Sequence, residues 1–106
     1  MIARTWKCIA AAENVPKYIA HFQHSVLPEL RLISGYRAAY LMQRDLGDGV
    51  EITVMTLWDS LEAIRAFAGD ALETAVVEPA AQAVLRSYDR TVTHSEVVLS
   101  PAETGA

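Results

Sequence analysis

Five aromatic side chains, Trp6, Tyr18, Phe22, Trp58 and Phe67, sit in segments of alternating or helical apolar spacing. Rings carried on elements that converge can wall a site for a planar small molecule, because an aromatic face stacks well and buries a large area. The same side chains also make good core filler, Trp6 and Trp58 on strands and the other three on helix stripes, so spacing leaves both readings open. His21 and His24 are three apart on a helical stretch and can share a face. Zinc needs three or four protein ligands, and only His94 and Cys8 remain to supply them, so no metal site is expected. Imidazole titrates near neutrality, which suits His21 to carrying a proton at a pocket mouth; a solvated helix face is the other reading for His21 and His24, and His94 has the same two. Cys8, inside a strand with Lys7 pointing to the opposite face, reads as a small buried hydrophobe with nothing to hold a thiolate. The sequence has no nucleophile elbow, phosphate loop or dinucleotide-binding glycine run, and Gly47-Asp48-Gly49 reads as a turn.

The elements that must position these residues are legible in outline. Met1 to Ala10 alternates as a half-buried strand. Asn14 is placed to cap a helix with Pro16 in its first turn; Val15, Tyr18, Ile19, Phe22 and Val26 form its apolar stripe, Pro28 kinks or restarts it, and Ser34-Gly35 ends it near Ile33. Tyr36 to Leu46 and Val50 to Trp58 are strands joined by the glycine turn. Asp59 with Glu62 resembles a capping box opening a helix that Gly69 stops. Asp70 and Glu73 repeat that signature, predicting two short helices between Ala71 and Arg86, divided at Pro79. Tyr88 to Leu99 is a last strand.

The order βαββαβ is the ferredoxin-like plan, an α+β fold with helices on one face of an antiparallel sheet. On the third strand Ile52, Val54, Thr56 and Trp58 point one way and Thr53, Met55 and Leu57 the other, so both faces are partly apolar. Leu41 and Ala39 add apolar surface on the strand before it. Helices can cover only one sheet face, and the sequence supplies no further element for the second. A homodimer through sheet faces is the economical cover.

At 106 residues there is room for one domain, 1–99, followed by a flexible tail at 100–106. A hydrophobic share of 52% against 21% charged residues excludes a disordered chain. The net charge of -4, with its nine basic residues scattered, argues against nucleic acid as a partner. One cysteine permits no intramolecular disulfide, and no apolar run approaches a membrane span or a signal peptide core, so a soluble, unprocessed, cytoplasmic protein is expected.

Leu57-Trp58-Asp59-Ser60 closing a strand, then Leu61-Glu62-Ala63-Ile64-Arg65-Ala66-Phe67 opening a helix, resembles the antibiotic biosynthesis monooxygenase family, as does Ser34-Gly35-Tyr36 leading into the hairpin. The likeness in order of elements runs from Met1 to Leu99. It implies a dimeric α+β barrel, two sheets packed face to face, with a pocket in each subunit between sheet and helices. Members include oxygenases that oxidise polycyclic phenols with molecular oxygen alone, haem-degrading oxygenases, and proteins of no known activity. The haem-degrading pattern has an Asn on the first strand, a Trp ending the third and a His on the next helix. Trp58 matches the second; Trp6 stands at the first position and Ala68 at the third. Neither supplies an axial donor to haem iron, so no cofactor is expected.

The resemblance therefore implies a cofactor-independent monooxygenase acting on a planar aromatic or polyketide-like molecule, bound by Trp6, Tyr18, Phe22, Trp58 and Phe67 with His21 as proton carrier. A non-enzymatic ligand-binding or dimerisation module on the same barrel is the alternative, and an isomerase or lyase a third.

Overall fold

In the computed structural model, which describes residues 1–101, the sheet is built around β1 (Ile2–Ala10). β1 pairs antiparallel with β3 (Val50–Trp58) on one side, and β3 pairs with β2 (Tyr36–Asp45). On its other side β1 takes β4 (Ser87–Tyr88) and β5 (Thr93–Glu96), giving the order β2-β3-β1-β4. This is the ferredoxin-like arrangement expected from the order of elements. The β2–β3 hairpin turns where expected: Gly47 takes φ +93°, and Asp45 Oδ1 accepts its N–H at 2.8 Å. Residues 102–106, most of the tail expected at 100–106, lie outside the described residues.

Strand parity sorts the two faces. Val50, Ile52, Val54, Thr56 and Trp58 are buried under the helices, opposite Ala10, Cys8, Trp6, Arg4 and Ile2 of β1. The alternate residues of β3, Thr53, Met55 and Leu57, face away and are only half-buried. Beside them on β2, Tyr40 and Met42 are 52% and 46% exposed. Ala39 and Leu41 instead turn toward the helices. The short axis of the molecule is 22 Å, enough for one sheet and one helical layer, so nothing among the described residues covers the second face.

The first helical run departs from its expected form at its start and is interrupted near Pro28, as expected. It begins with a tight turn at Ala12–Asn14, so Asn14 is itself helical and its side chain makes no cap. After α1 (Val15–His21) comes a wider π turn, Phe22–Val26, before α2 (Leu27–Arg31). Leu27 N–H reaches back five residues to Phe22 O, the adjustment expected where Pro28 contributes no N–H to the next bond. α3 (Leu61–Ala68) is capped by Ser60, whose Oγ accepts from Ala63 N–H at 3.2 Å, not by Asp59. Asp59 pairs with Arg37 across the hairpin end, and Glu62 pairs with Arg65.

The stretch expected to form two helices forms one short helix, α4 (Pro79–Gln82), with Pro79 opening it. Residues 70–78, a turn around Leu72-Glu73 followed by an irregular strap, form no helix because backbone groups of Glu73 and Ala75 find partners elsewhere. Ala75 N–H donates to Arg90 O at 2.9 Å, Val92 N–H donates to Glu73 O at 2.8 Å, and Thr74 bridges Thr91. The same bonds break the expected last strand in two, because residues 90–92 pair with the strap instead of β1. Four residues there oppose Trp6 and Lys7, a bulge of two.

Candidate functional site

A cavity of about 60 Å³ lies between the helices and the covered face of the sheet. Its aromatic walls are Trp6 from β1, Tyr18 from α1, Phe22 from the π turn and Phe67 from α3. His21 borders it next to Tyr18, the two rings 6.3 Å apart. Val76, Val77 and Glu78 of the strap close one side, and Val92 of the bulge another. Amphipathic spacing accounts for the convergence: Tyr18, His21 and Phe22 fall on one face of the first helical run, and Trp6 shares strand parity with Val54 and Thr56.

Trp58 does not border the cavity. Its side chain is fully buried, its indole N–H donates to Thr56 Oγ1 at 2.8 Å, and its ring packs between Tyr36 and Phe67. Being last in β3, it lies beyond the cavity and supports Phe67 from behind. Trp6 is half-buried and fixed by its indole N–H, which donates to Asp89 O at 2.6 Å. That bond takes the Asp89 carbonyl out of the ladder and helps hold the bulge open. His24 is exposed and does not join His21 at the cavity.

Arg4 is the residue that motif reading passes over. It is 5% exposed, borders the cavity, and shares the face of Trp6 by strand parity, which is the signal that would have found it. Its NH1 group donates to Leu72 O at 2.6 Å and meets His94 Nε2 at 3.0 Å; NH2 donates to Thr74 O at 3.1 Å. A guanidinium only donates, so Nε2 of His94 accepts and that ring is neutral. Burial, then the charge of Arg4, lowers the His94 pKa, with Glu73 opposing. Burial also pushes the Tyr18 phenol up, so it stays protonated. Cys8 is buried and pushed up to about 12 by burial and by Asp89, an inert thiol as expected.

Hydrogen-bond completeness locates two free donors. Among the described residues no fully buried side-chain nitrogen or oxygen lacks a partner, yet neither Arg4 Nε nor the Tyr18 hydroxyl makes a hydrogen bond. Both atoms therefore touch open space, in residues that line the cavity. The site can accordingly stack a ring, offer hydrogen bonds to an oxygen, and present one imidazole. No cluster of three or more His, Cys, Asp or Glu fit to hold a metal occurs among the described residues. Trp6 and Ala68, where the haem-degrading pattern has Asn and His, carry no axial donor, and the imidazole bordering this cavity is that of His21.

No family model matches the sequence, and no curated protein does. Solved structures do match in shape. A protein from Deinococcus radiodurans, named for the antibiotic biosynthesis monooxygenases, is 17% identical with a TM-score of 0.62, covering 94% of this chain and 95% of its own. The haem degrader MhuD of Mycobacterium tuberculosis, solved with two haems in its active site, is 22% identical with a TM-score of 0.63, covering 94% and 98%. A Bacillus cereus protein, also named for these monooxygenases, is 14% identical with a TM-score of 0.59, covering 93% and 96%. At these identities the likeness is one of fold: the chain has the ferredoxin-like α+β fold of solved structures named as antibiotic biosynthesis monooxygenases and of a haem degrader.

Proposed function

We propose that the chain is a cofactor-independent monooxygenase for a planar aromatic or polyketide-like phenol. The observation that carries the reading is the cavity walled by Trp6, Tyr18, Phe22 and Phe67 on the covered side of the sheet. Such a reaction asks little of the protein. A ring CH₂ in the keto form of the substrate, once deprotonated, can itself reduce oxygen: CH₂ + O₂ gives C=O + H₂O, with all four electrons drawn from the substrate carbon. The chain's residues then bind the ring, accept its proton and keep water away. His21, bordering the cavity, is the proton acceptor in this scheme, and Trp58 acts indirectly by fixing Phe67. Two copies pair through the open sheet face carrying Tyr40, Met42, Met55 and Leu57.

The cavity volume favours a second reading in one respect, since 60 Å³ admits a polycyclic ligand only if a wall moves. The movable wall is the strap, which has no regular secondary structure and contributes Val76, Val77 and Glu78. If the strap stays closed, the protein is a small-ligand-binding module. Titration with anthrones and hydroxynaphthoquinones, following tryptophan fluorescence and oxygen uptake together, separates the two. Uptake insensitive to chelators supports the oxygenase; quenching without uptake supports the binding module; neither effect removes the aromatic pocket as a functional site.

A further inference from the structure

We infer that the cavity contains an anion-binding subsite at Arg4, so that its aromatic ligand is held through an oxyanion, a carboxylate or an ionised ring hydroxyl. The inference deepens the aromatic-pocket reading and rests on it. The guanidinium is almost wholly removed from water, and every hydrogen bond it makes goes to a neutral acceptor: two strap carbonyls and the His94 ring. No carboxylate among the described residues pairs with it. The four ion pairs among the described residues lie elsewhere, at Arg37, Arg44 and twice at Arg65. Glu73 acts on Arg4 only at longer range, and the ring of Phe67, 5.9 Å from the guanidinium carbon, is a weak substitute for an anion.

A buried cation without a contacting anion is costly, and proteins keep one where a ligand or a partner completes it. Here one donor is left unfilled. The Nε–H is unbonded yet touches open space, and the residue borders the cavity. Tyr18, whose hydroxyl is kept protonated and makes no hydrogen bond, lines the same cavity. Glu78 is the one carboxylate in the lining, half-exposed and not paired with Arg4. An anionic ligand is therefore drawn toward the Arg4 end and turned away from Glu78, which fixes its direction as well as its charge.

The test compares 2-naphthoate with its neutral isostere 2-naphthamide, by fluorescence titration of the full chain above pH 7. A charge-assisted hydrogen bond in a buried site is expected to make naphthoate about tenfold tighter or more, and Arg4→Gln to erase that preference while keeping amide binding. Because Arg4 also anchors residues 72 and 74, the wild-type protein labelled with ¹⁵N-arginine supplies a second readout: the Arg4 Nε–H signal moves with naphthoate and not with naphthamide. Equal affinities for the two ligands, a preference that survives Arg4→Gln, or an unmoved Nε–H signal overturns the subsite and leaves the aromatic pocket standing. Binding of neither ligand overturns both.

Discussion

Trp6 and Trp58 share one face of adjacent strands and yet do different work. Trp58 has no exposed surface and packs on two rings, so Trp58→Ala should cost about 3–5 kcal/mol, read as a lowered denaturant midpoint. Trp6→Ala, at a half-buried cavity wall, should cost less stability and instead weaken aromatic ligand binding several-fold, as the loss of roughly 1 kcal/mol of stacking would. His94 gives a pH signature. Its folded pKa is lowered, so the folded state binds fewer protons than the unfolded one below the ordinary value of 6.5. Its contribution is fully present above that value and is lost as pH falls through the lowered one, when a charged ring would confront Arg4. Thermal melts of wild type should therefore drop between pH 7 and pH 5 more steeply than those of His94→Asn, which is neutral throughout; parallel slopes would count against the Arg4–His94 contact.

Among the elements, those governed by local rules were legible and those governed by distant partners were not. β1, β3 and the hairpin follow from alternation and from glycine, and α3 from its apolar stripe and Gly69. The π turn follows from Pro28 acting on a helix that tertiary packing keeps continuous. The strap defeats its own Asp70 and Glu73 signals because Arg4, 68 and 70 residues away, takes its carbonyls, and residues 90–92 take its backbone. The site was legible to the same degree: Trp6, Tyr18, Phe22 and Phe67 could be read from periodicity, whereas Arg4 carries no motif and is recognised only once strand parity puts it beside Trp6. Glycine positions allow a sharp comparison. Gly35 has φ +94° and an added Cβ would stand 2.6 Å from Ala63 Cβ, so Gly35→Ala combines a left-handed backbone with a clash between the hairpin entry and α3. About 1–3 kcal/mol of destabilisation is expected. Gly47→Ala, at φ +93° with nothing within 4 Å, should cost only the backbone part, about 1 kcal/mol. Chemical denaturation of the two variants checks the ranking.

At the scale of the whole molecule, one sheet face lies under helices and the other lies open, and the proposed pairing of two copies acts on the second. A lysine at Met55 would place a charge at the centre of that contact, beside Tyr40, its register partner on β2. Light scattering should then report a dimer for the wild type at micromolar concentration and a monomer for Met55→Lys; a monomeric wild type would remove the pairing. The sheet order carries a different consequence, for the time course of folding. β1 is both the first strand of the sequence and an inner strand of the sheet, flanked by β3 on one side and by β4 and β5, from the far end of the chain, on the other, with Val97 N–H closing on Met1 O at 2.9 Å. During synthesis the emerging strand must wait for both neighbours, and the second is made only after β2, β3 and the four helices. Until then one flank of β1 is an unsaturated edge, open to β1 strands of other nascent chains, so chaperone occupancy in the interval between β1 and the appearance of β4 and β5 should govern how much protein reaches the native sheet.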